Sequence, residues 1–383
     1  MPSGFEGWIS VSEDNAYDSA TSLSPQMLHA DEETLAISKE IHFQDSWVRD
    51  SHVQHLSSPI LKAAKPQGDI TFQFRSDDCP KFLFAHFQCG SLLTTASPWR
   101  YAFYPRTNPL DYTYRGTSPN QAYGYTTAKP YTVSVTKKLF NTSSYGGTNA
   151  FVFKNGIVDK LTFQLTNTSD AKLKSHLFFR DFDAGTAIPN NPGDGTVGTY
   201  STNPSFESWT GTVTMDGASF EISSLAFESS HQAQERSQVG RQAPESYQFS
   251  DYSLRGAFGF DLPQDALKQV GSMFTAGVFS LTATLYNGTA DRVCIEMPCC
   301  VRESFEYNFR SGDAPQSGQI PFRAFENNGT YPIKLTVDTT SALSSLVFFG
   351  DALPGARSIP ASDWYDASAV ARTLSSFTYY SHD

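Results

Sequence analysis

Four stretches of the sequence carry residue types that chemistry uses. GDGTVG at 193–198 has the glycine spacing of a dinucleotide-binding turn. That turn works only between a strand and a helix, where the helix N-terminus meets a pyrophosphate. Here PNNP precedes it and TYSTNP follows, so it reads as a loop. Cys294, Cys299 and Cys300 offer thiolates. In an extended segment Cys294 and Cys300 share a face while Cys299 points away, and no standard zinc spacing is present. His52 and His55 (HVQH) have no carboxylate-rich cluster beside them and read as surface histidines. The fourth stretch, about 95–150, is aromatic, with Trp99, Tyr101, Phe103, Tyr104, Tyr112, Tyr114, Tyr123, Tyr125 and Tyr131. Such side chains suit a protein–protein contact, the protein's own core, or a sugar platform. Trp99, Tyr101, Tyr104, Tyr112 and Tyr114 are the interface candidates. The sequence contains no G-x-S-x-G, P-loop or H-E-x-x-H motif, and no spacing singles out a carboxylate pair. The expectation is a protein without catalytic residues, metal or cofactor.

Composition narrows the classes further. Lys and Arg number 28 against 39 Asp and Glu, a net charge of −11. That balance disfavours a surface built to grip nucleic acid, which needs excess cations. Apolar residues at 39% and aromatics at 14% are enough for substantial cores. No apolar run approaches the roughly 20 residues of a membrane helix, and the opening MPSGFEGWIS has no leader pattern. The expectation is a soluble protein folded in a cytosol, its five cysteines reduced. The sequons at Asn141, Asn167, Asn287 and Asn328 read as turn chemistry.

Strand patterns dominate the chain. TLAISKEIHF at 34–43 sets Leu35, Ile37, Ile41 and Phe43 against Thr34, Ser38, Glu40 and His42. DITFQFRS at 69–76 sets Ile70, Phe72 and Phe74 against Asp69, Thr71, Gln73 and Arg75. GIVDKLTFQL at 156–165 turns Ile157, Leu161, Phe163 and Leu165 inward. These are antiparallel sheets with one dry and one wet face. Residues 44–68 lack periodicity and read as a long loop. DCPKFLFAHFQCG at 78–90 reads as a helix capped by Asp78 and Gly90, with Pro80 in its first turn.

The second half repeats this order. FEISSLAFE at 220–228 is a strand, 229–250 a polar loop, SLRGAFGF at 253–260 a strand, and DLPQDALKQVG at 261–271 a helix. GSLLT and GSMFT follow the two helices, CVRESFEYNF answers GIVDKLTFQL, and FRAFE at 322–326 answers FRDFD at 179–183. Six weak matches in one order make two copies of one unit. Thr94 to Phe151 spans 57 positions (151 − 94) and Thr275 to Ile295 spans 20 (295 − 275), which locates the aromatic insert. The implied organisation is a first domain at 1–183, a connection at 184–219, a second domain at 220–326, and an extension or closing strands at 327–383.

This order resembles the tail tube proteins of long-tailed bacteriophages. The residues that carry the likeness are GWISVSEDNAYDSAT, TLAISKEIHF, DITFQF, DCPKFLFAHFQ and the closing NGIVDKLTFQLTNTSDAKLKSHLFFRDFD. The resemblance covers most of the chain, in two copies, through patterns of type and spacing rather than a signature residue. It implies an all-β protein with minor α: two tandem tail-tube-like β-sandwich or barrel domains, each with a short flanking helix. Rings of such domains stack around a channel through which DNA passes without specific binding. The long loops would reach the adjacent ring, with Trp47, Arg49, His52, His55, His231, Glu235, Arg236 and Arg241 as candidates. The polar strand face would line the lumen through Ser38, Glu40, Asp69, Thr71, Gln73, Arg75 and Glu221. Two domains per chain depart from the usual single domain, so three chains would complete a ring of six. The implied partners are further copies of the chain, a tape measure protein, and tail terminator or tip proteins. No membrane is involved, and the implied location is the virion tail, assembled in the host cytoplasm. A non-catalytic carbohydrate-binding protein using the Tyr-rich insert is the alternative.

Overall fold

Where apolar and polar residues alternate, a strand can bury one face and keep backbone partners on both edges. The computed structural model describes residues 7–16, 19–42, 45–46, 55–56, 60–88, 90–94, 97–105, 131–139, 150–167, 169–184, 200–207, 211–236, 246–262, 278–287, 291–303, 316–326, 331–340, 347–349 and 364–366. In chain order the strands begin with β1 (Gly7–Ala16), β2 (Ser19–Leu28), β3 (Ala30–Glu33), β4 (Ala36–His42), β5 (Asp45–Ser46), β6 (His55–Leu56) and β7 (Ile60–Gln73). The helix α1 (Cys79–Phe87) is followed by β8 (Gly90–Thr94), β9 (Trp99–Phe103), β10 (Val133–Leu139), β11 (Ala150–Thr166) and β12 (Lys172–Ala184). Next come β13 (Thr212–Met215), β14 (Ala218–Ser219), β15 (Ser224–Arg236), β16 (Ser246–Leu262) and β17 (Val278–Tyr286). The chain closes with β18 (Arg292–Arg302), β19 (Gln316–Ala324), β20 (Lys334–Thr339), β21 (Val347–Phe349) and β22 (Trp364–Asp366). The protein is mostly β, with one helix among the described residues, as the alternation predicts.

Seven strands lie side by side, each antiparallel to the next, in the order β4, β7, β12, β11, β15, β16, β19. Four come from the first half of the chain and three from the second. The two sets meet where Lys160–Thr166 of β11 pairs with Ser230–Ser224 of β15. The first residues of β11 pair instead with β10, which continues through β1 to β2. A further run, β13, β17, β18, β20, β9, β8, also mixes both halves. Within it β20, from the expected C-terminal extension, fills the space between β9 and β18.

Most buried apolar side chains form one cluster that runs from Ile9 through Phe72, Phe163 and Phe258 to Val337, and Ala102 and Tyr104 form a second, small one against Tyr331. Each fully buried Phe contributes about 1.5–3 kcal/mol relative to an exposed one. Ile70, Phe72 and Phe74 are all completely buried, as are Ile157, Phe258 and Ile320.

Several expectations are corrected. The stretch at 44–68 is not one loop, because β7 begins at Ile60 and pairs with β4 as far as His42. Asp45–Ser46 and His55–Leu56 also pair. The stretch at 229–250 is mostly hairpin, with β15 and β16 in register out to Arg236 and Ser246. A backbone ladder needs no apolar face, so these arms pair without the alternation that reveals a core strand. The strand expected at 220–228 begins only at Ser224. Asp78 makes no cap hydrogen bond; its Oδ1 accepts from Gln26 Nε2 at 2.8 Å instead. The helix ends on Gln88 in the left-handed conformation (φ 56), not on Gly90. Gln88 tolerates that strain because its amide grips Tyr131: Nε2 donates to the Tyr131 carbonyl at 3.0 Å and Oε1 accepts its N–H at 2.7 Å. The expected second helix starts inside β16 and otherwise lies outside the described residues.

The repeated Phe-Arg pairs acquire a physical reason. Phe179 lies opposite Gly156 on β11 and Phe322 lies opposite Gly256 on β16. A Cβ at either glycine would come within 2.5 Å of the facing ring. Each ring therefore seats on a bare backbone. Register and sequence match are nevertheless out of step. Phe72 pairs with Leu173 and its counterpart Phe258 with Ile320, a separation of 147 (320 − 173), against 143 (322 − 179) for the Phe-Arg pairs. The difference is even, so the same face stays buried.

Candidate functional site

The wet face of the seven-stranded sheet carries polar side chains in register across six strands, β7, β12, β11, β15, β16 and β19. Cross-strand register sorts its side chains into rows. One row runs Asp69, His176, Lys160, Ser230, Ser253. The next runs Thr71, Lys174, Thr162, Glu228, Arg255, Arg323. A third runs Gln73, Lys172, Gln164, Ala226, Ala257, Pro321. Nothing in these rows is a large apolar side chain, because their neighbours in sequence already fill the core.

These rows hold Lys160, Lys172, Lys174, Arg255 and Arg323 against Asp69 and Glu228. The face is therefore not acidic, although the chain is. Most of these cations meet a carboxylate. Lys174 Nζ lies 3.0 Å from Asp69 Oδ2, Lys160 Nζ 2.9 Å from Glu228 Oε2, and Lys172 Nζ 2.7 Å from Asp31 Oδ2. Arg323 pairs with Glu303. His176 Nδ1 lies 2.6 Å from Asp159, which reaches the same face through a bulge between Val158 and Lys160. That hydrogen bond holds the His176 pKa above its usual value. Arg255 lies directly opposite both Glu228 and Arg323.

The sequence candidates for this face fall as follows. Asp69, Thr71 and Gln73 stand on β7 with side chains half-buried, and Ser38 stands exposed on β4 opposite Lys65. Glu40 is in β4, its side chain outside the described set. Arg75 follows β7 and links the third row to the connection: it donates to the Asn203 carbonyl and, from Nη2, to Gln73 Oε1 at 2.8 Å. Glu221 is exposed but precedes β15 rather than standing on it. Among the arm candidates, His55 lies in β6, and Glu235 and Arg236 end β15. Trp47, Arg49, His52 and Arg241 lie outside the described residues. Tyr101 is fully buried and Tyr104 is 5% exposed, so both serve this chain's own interior rather than a partner's. Trp99 is half-buried, and Tyr112 and Tyr114 lie outside the described residues.

A second constellation escaped the sequence reading. His86, near the end of α1, is completely buried. Its Nδ1 is 3.0 Å from the Val158 carbonyl and its Nε2 is 2.7 Å from Ser229 Oγ on β15. A carbonyl only accepts, so Nδ1 carries the proton and Nε2 of the neutral ring accepts from the serine. Ser229 Oγ is 2.9 Å from the Tyr252 hydroxyl on β16. His231, the remaining arm candidate, faces the rings of both His86 and Tyr252, at 4.8 and 4.9 Å between centroids. Burial lowers the pKa of His86 well below the usual value and that of His231 to about 4. Burial raises that of Tyr252. A serine against a histidine suggests a nucleophile and base, but Ser229 is wholly buried and the ring's other nitrogen meets a carbonyl rather than a carboxylate. The group is a neutral polar plug where α1 and β11 of the first half meet β15 and β16 of the second. The one signal in the sequence was a histidine inside the apolar run KFLFAHF.

The connection at 200–207 is stitched to both halves. Phe206 is fully buried, and its backbone bonds to Phe74 and Ala171 at 2.9 Å each. Ser201 Oγ donates to Asp77 at 2.6 Å, and Asn203 Nδ2 to Ser76 Oγ at 3.0 Å. Ser76 Oγ in turn donates to Asp291 at 2.5 Å. Beside this strap, burial and then the charge of Asp77 raise the Asp78 pKa to about 7.

Among the described residues no cluster of three or more His, Cys, Asp or Glu side chains could hold a metal ion. Cys300 is fully buried while Cys294 is half-buried beside Thr284, so the thiols do not converge. No described helix is long and apolar enough to cross a membrane. No protein-family model matches the chain and no curated protein matches it.

Proposed function

We propose that the chain is a structural subunit of a bacteriophage tail tube, three copies forming each ring and rings stacking around a channel for DNA. The observation that carries this reading is the edge-to-edge union of the halves. Each half contributes a hairpin, β4–β7 or β15–β16, whose returning strand pairs with a later strand, β12 or β19. β11 and β15 then join the halves into one sheet, dry on one face and polar on the other. In that sheet β4 stands at one end, and at the other Phe322–Ala324 of β19 pairs in turn with Cys300–Arg302, the last residues of β18. Continuing the same union from chain to chain closes a ring and removes its open edges. The polar face then lines the lumen, and the two hairpin arms extend the sheet toward a neighbouring ring.

In this reading the role is structural rather than catalytic, and the partners are copies of the same chain together with the proteins that bound a tail. Fusing two units in one chain makes half of the unit contacts intramolecular, which lowers the entropic cost of assembly. The divergence of the halves gives the ring true threefold and only approximate sixfold symmetry. Electron microscopy of the purified protein tests the reading. Hollow tubes with threefold rings are expected. A monodisperse monomer at high concentration, or six chains per ring, refutes it.

A further inference from the structure

Resting on the tube reading, we infer that the polar face is a sliding surface for double-stranded DNA whose cations are masked by carboxylates of the same chain. Lys174, Lys160, Lys172 and Arg323 are each held by Asp69, Glu228, Asp31 and Glu303 respectively. A wall of bare acids would repel a polyanion and a wall of bare lysines would trap it. Paired charges do neither. Side chains in these lysine pairs are 30–46% exposed, and exposed pairs add little net stability because water screens both charges. A passing phosphate can therefore replace a carboxylate at almost no net free energy, and the carboxylate replaces it again as the phosphate moves on.

The arrangement across strands supports exchange rather than storage. Glu228 sits in register between Thr162 and Arg255, and Lys160 reaches it diagonally from the adjacent row. Asp69 likewise serves Lys174 from the next row. Each carboxylate thus stands within one strand spacing of the cation it covers. The alternating short polar residues Thr71, Thr162, Ser230 and Ser253 leave no knob on the surface.

The test uses the full chain and a DNA duplex of about 30 base pairs in roughly 50 mM salt, with binding read by fluorescence anisotropy. Wild-type protein should bind weakly. Asp69→Asn with Glu228→Gln should bind at least about tenfold tighter, with a log–log salt slope near −2, from about −0.9 per freed cation. Adding Lys160→Gln and Lys174→Gln should remove most of that gain. Circular dichroism and tube formation are measured on every variant. Wild type binding as tightly as the double variant, or a folded double variant with no gain, overturns the masking. Tubes together with no gain overturn it while leaving the tube reading intact. A gain without tubes overturns the proposed function, and the sliding role with it.

Discussion

The two halves of the chain are joined at two seams of opposite chemistry. At the β11–β15 seam the buried polar groups are neutral: His86, Ser229, Tyr252 and His231 beside a seven-residue ladder. At the β9–β20–β18 seam they are charged. Asp338, 5% exposed in its side chain, takes Arg100 Nε and Nη2 at 2.7 and 3.0 Å and Arg292 Nε at 3.0 Å. Arg100, Asp338 and Arg292 are direct cross-strand neighbours, so one carboxylate fixes three strands in register. A neutral plug can be replaced by apolar atoms at modest cost, whereas losing the charge of the buried Asp338 weakens its bonds to Arg100 and Arg292 at once, even though both guanidinium groups still reach water. Strength is concentrated in one atom group at the charged seam and spread over ladder and packing at the neutral one.

Asp338→Asn should therefore cause a large loss, about 2–4 kcal/mol in chemical denaturation, through weakened bonds to two charged groups. A loss under about 1 kcal/mol would show that the two seams do not differ in this way. His86→Ala should cost about 2–4 kcal/mol, from a cavity and the stranded Ser229 and Val158 groups. His86→Leu should recover part of that.

Acid separates the seams further. The folded pKa values of His86 and His231 lie below the unfolded value near 6.5, so the unfolded chain takes protons first. Stability from this plug is fully present above about pH 6.5 and is lost as pH falls toward about 4, by roughly 3 kcal/mol for His231. Amide exchange in β15 should accelerate at pH 5 relative to pH 7 after correction for intrinsic rates, and the combined His86→Leu, His231→Leu variant should flatten that response. Equal acceleration in β20 would erase the distinction.

Gly256→Val, away from both polar groups, pushes a Cβ into the Phe322 ring and should cost about 1–3 kcal/mol without altering the acid response. Glu228→Gln, on the wet side of the neutral seam, should change stability by less than about 1 kcal/mol. A larger effect would mean that the exposed ion pair, not the buried plug, holds that seam.

Much of the fold was legible because burial imposes alternation. Ile70, Phe72, Phe74, Leu161 and Phe163 are buried where period-two reading places them. The arm at SSHQAQER looks like a loop because polar residues, Ser229 and His231, occupy its buried side, although its backbone is paired through Arg236. Asp78 looked like a cap by type, but Gln26, 52 residues away in the chain, claims its oxygen. The wet face was legible on β7 alone; its rows became visible only once β12, β11, β15 and β16 were set in register beside it. His86 and Ser229 stand 143 residues apart, and no local pattern reports a contact of that span. Tyr101 and Tyr104 looked like surface material because their stretch is rich in Pro, Asn and Gly, yet β9 is an interior strand with β20 on one side and β8 on the other.

That interior position has a consequence for how the molecule is made. Arg100 waits for a carboxylate 238 residues downstream. At a synthesis rate of about 5–20 residues per second, β9 emerges roughly 12–50 s before β20 exists to cover its edge. Throughout that interval the strand offers unpaired backbone to any passing chain, including the nascent chain of a neighbouring ribosome. The sheet is thus joined late, when β20 slots between β9 from the first half of the sequence and β18 from the second. A protein built in this way carries a check on its own synthesis, because β9 and β18 stay unjoined until β20 has been translated.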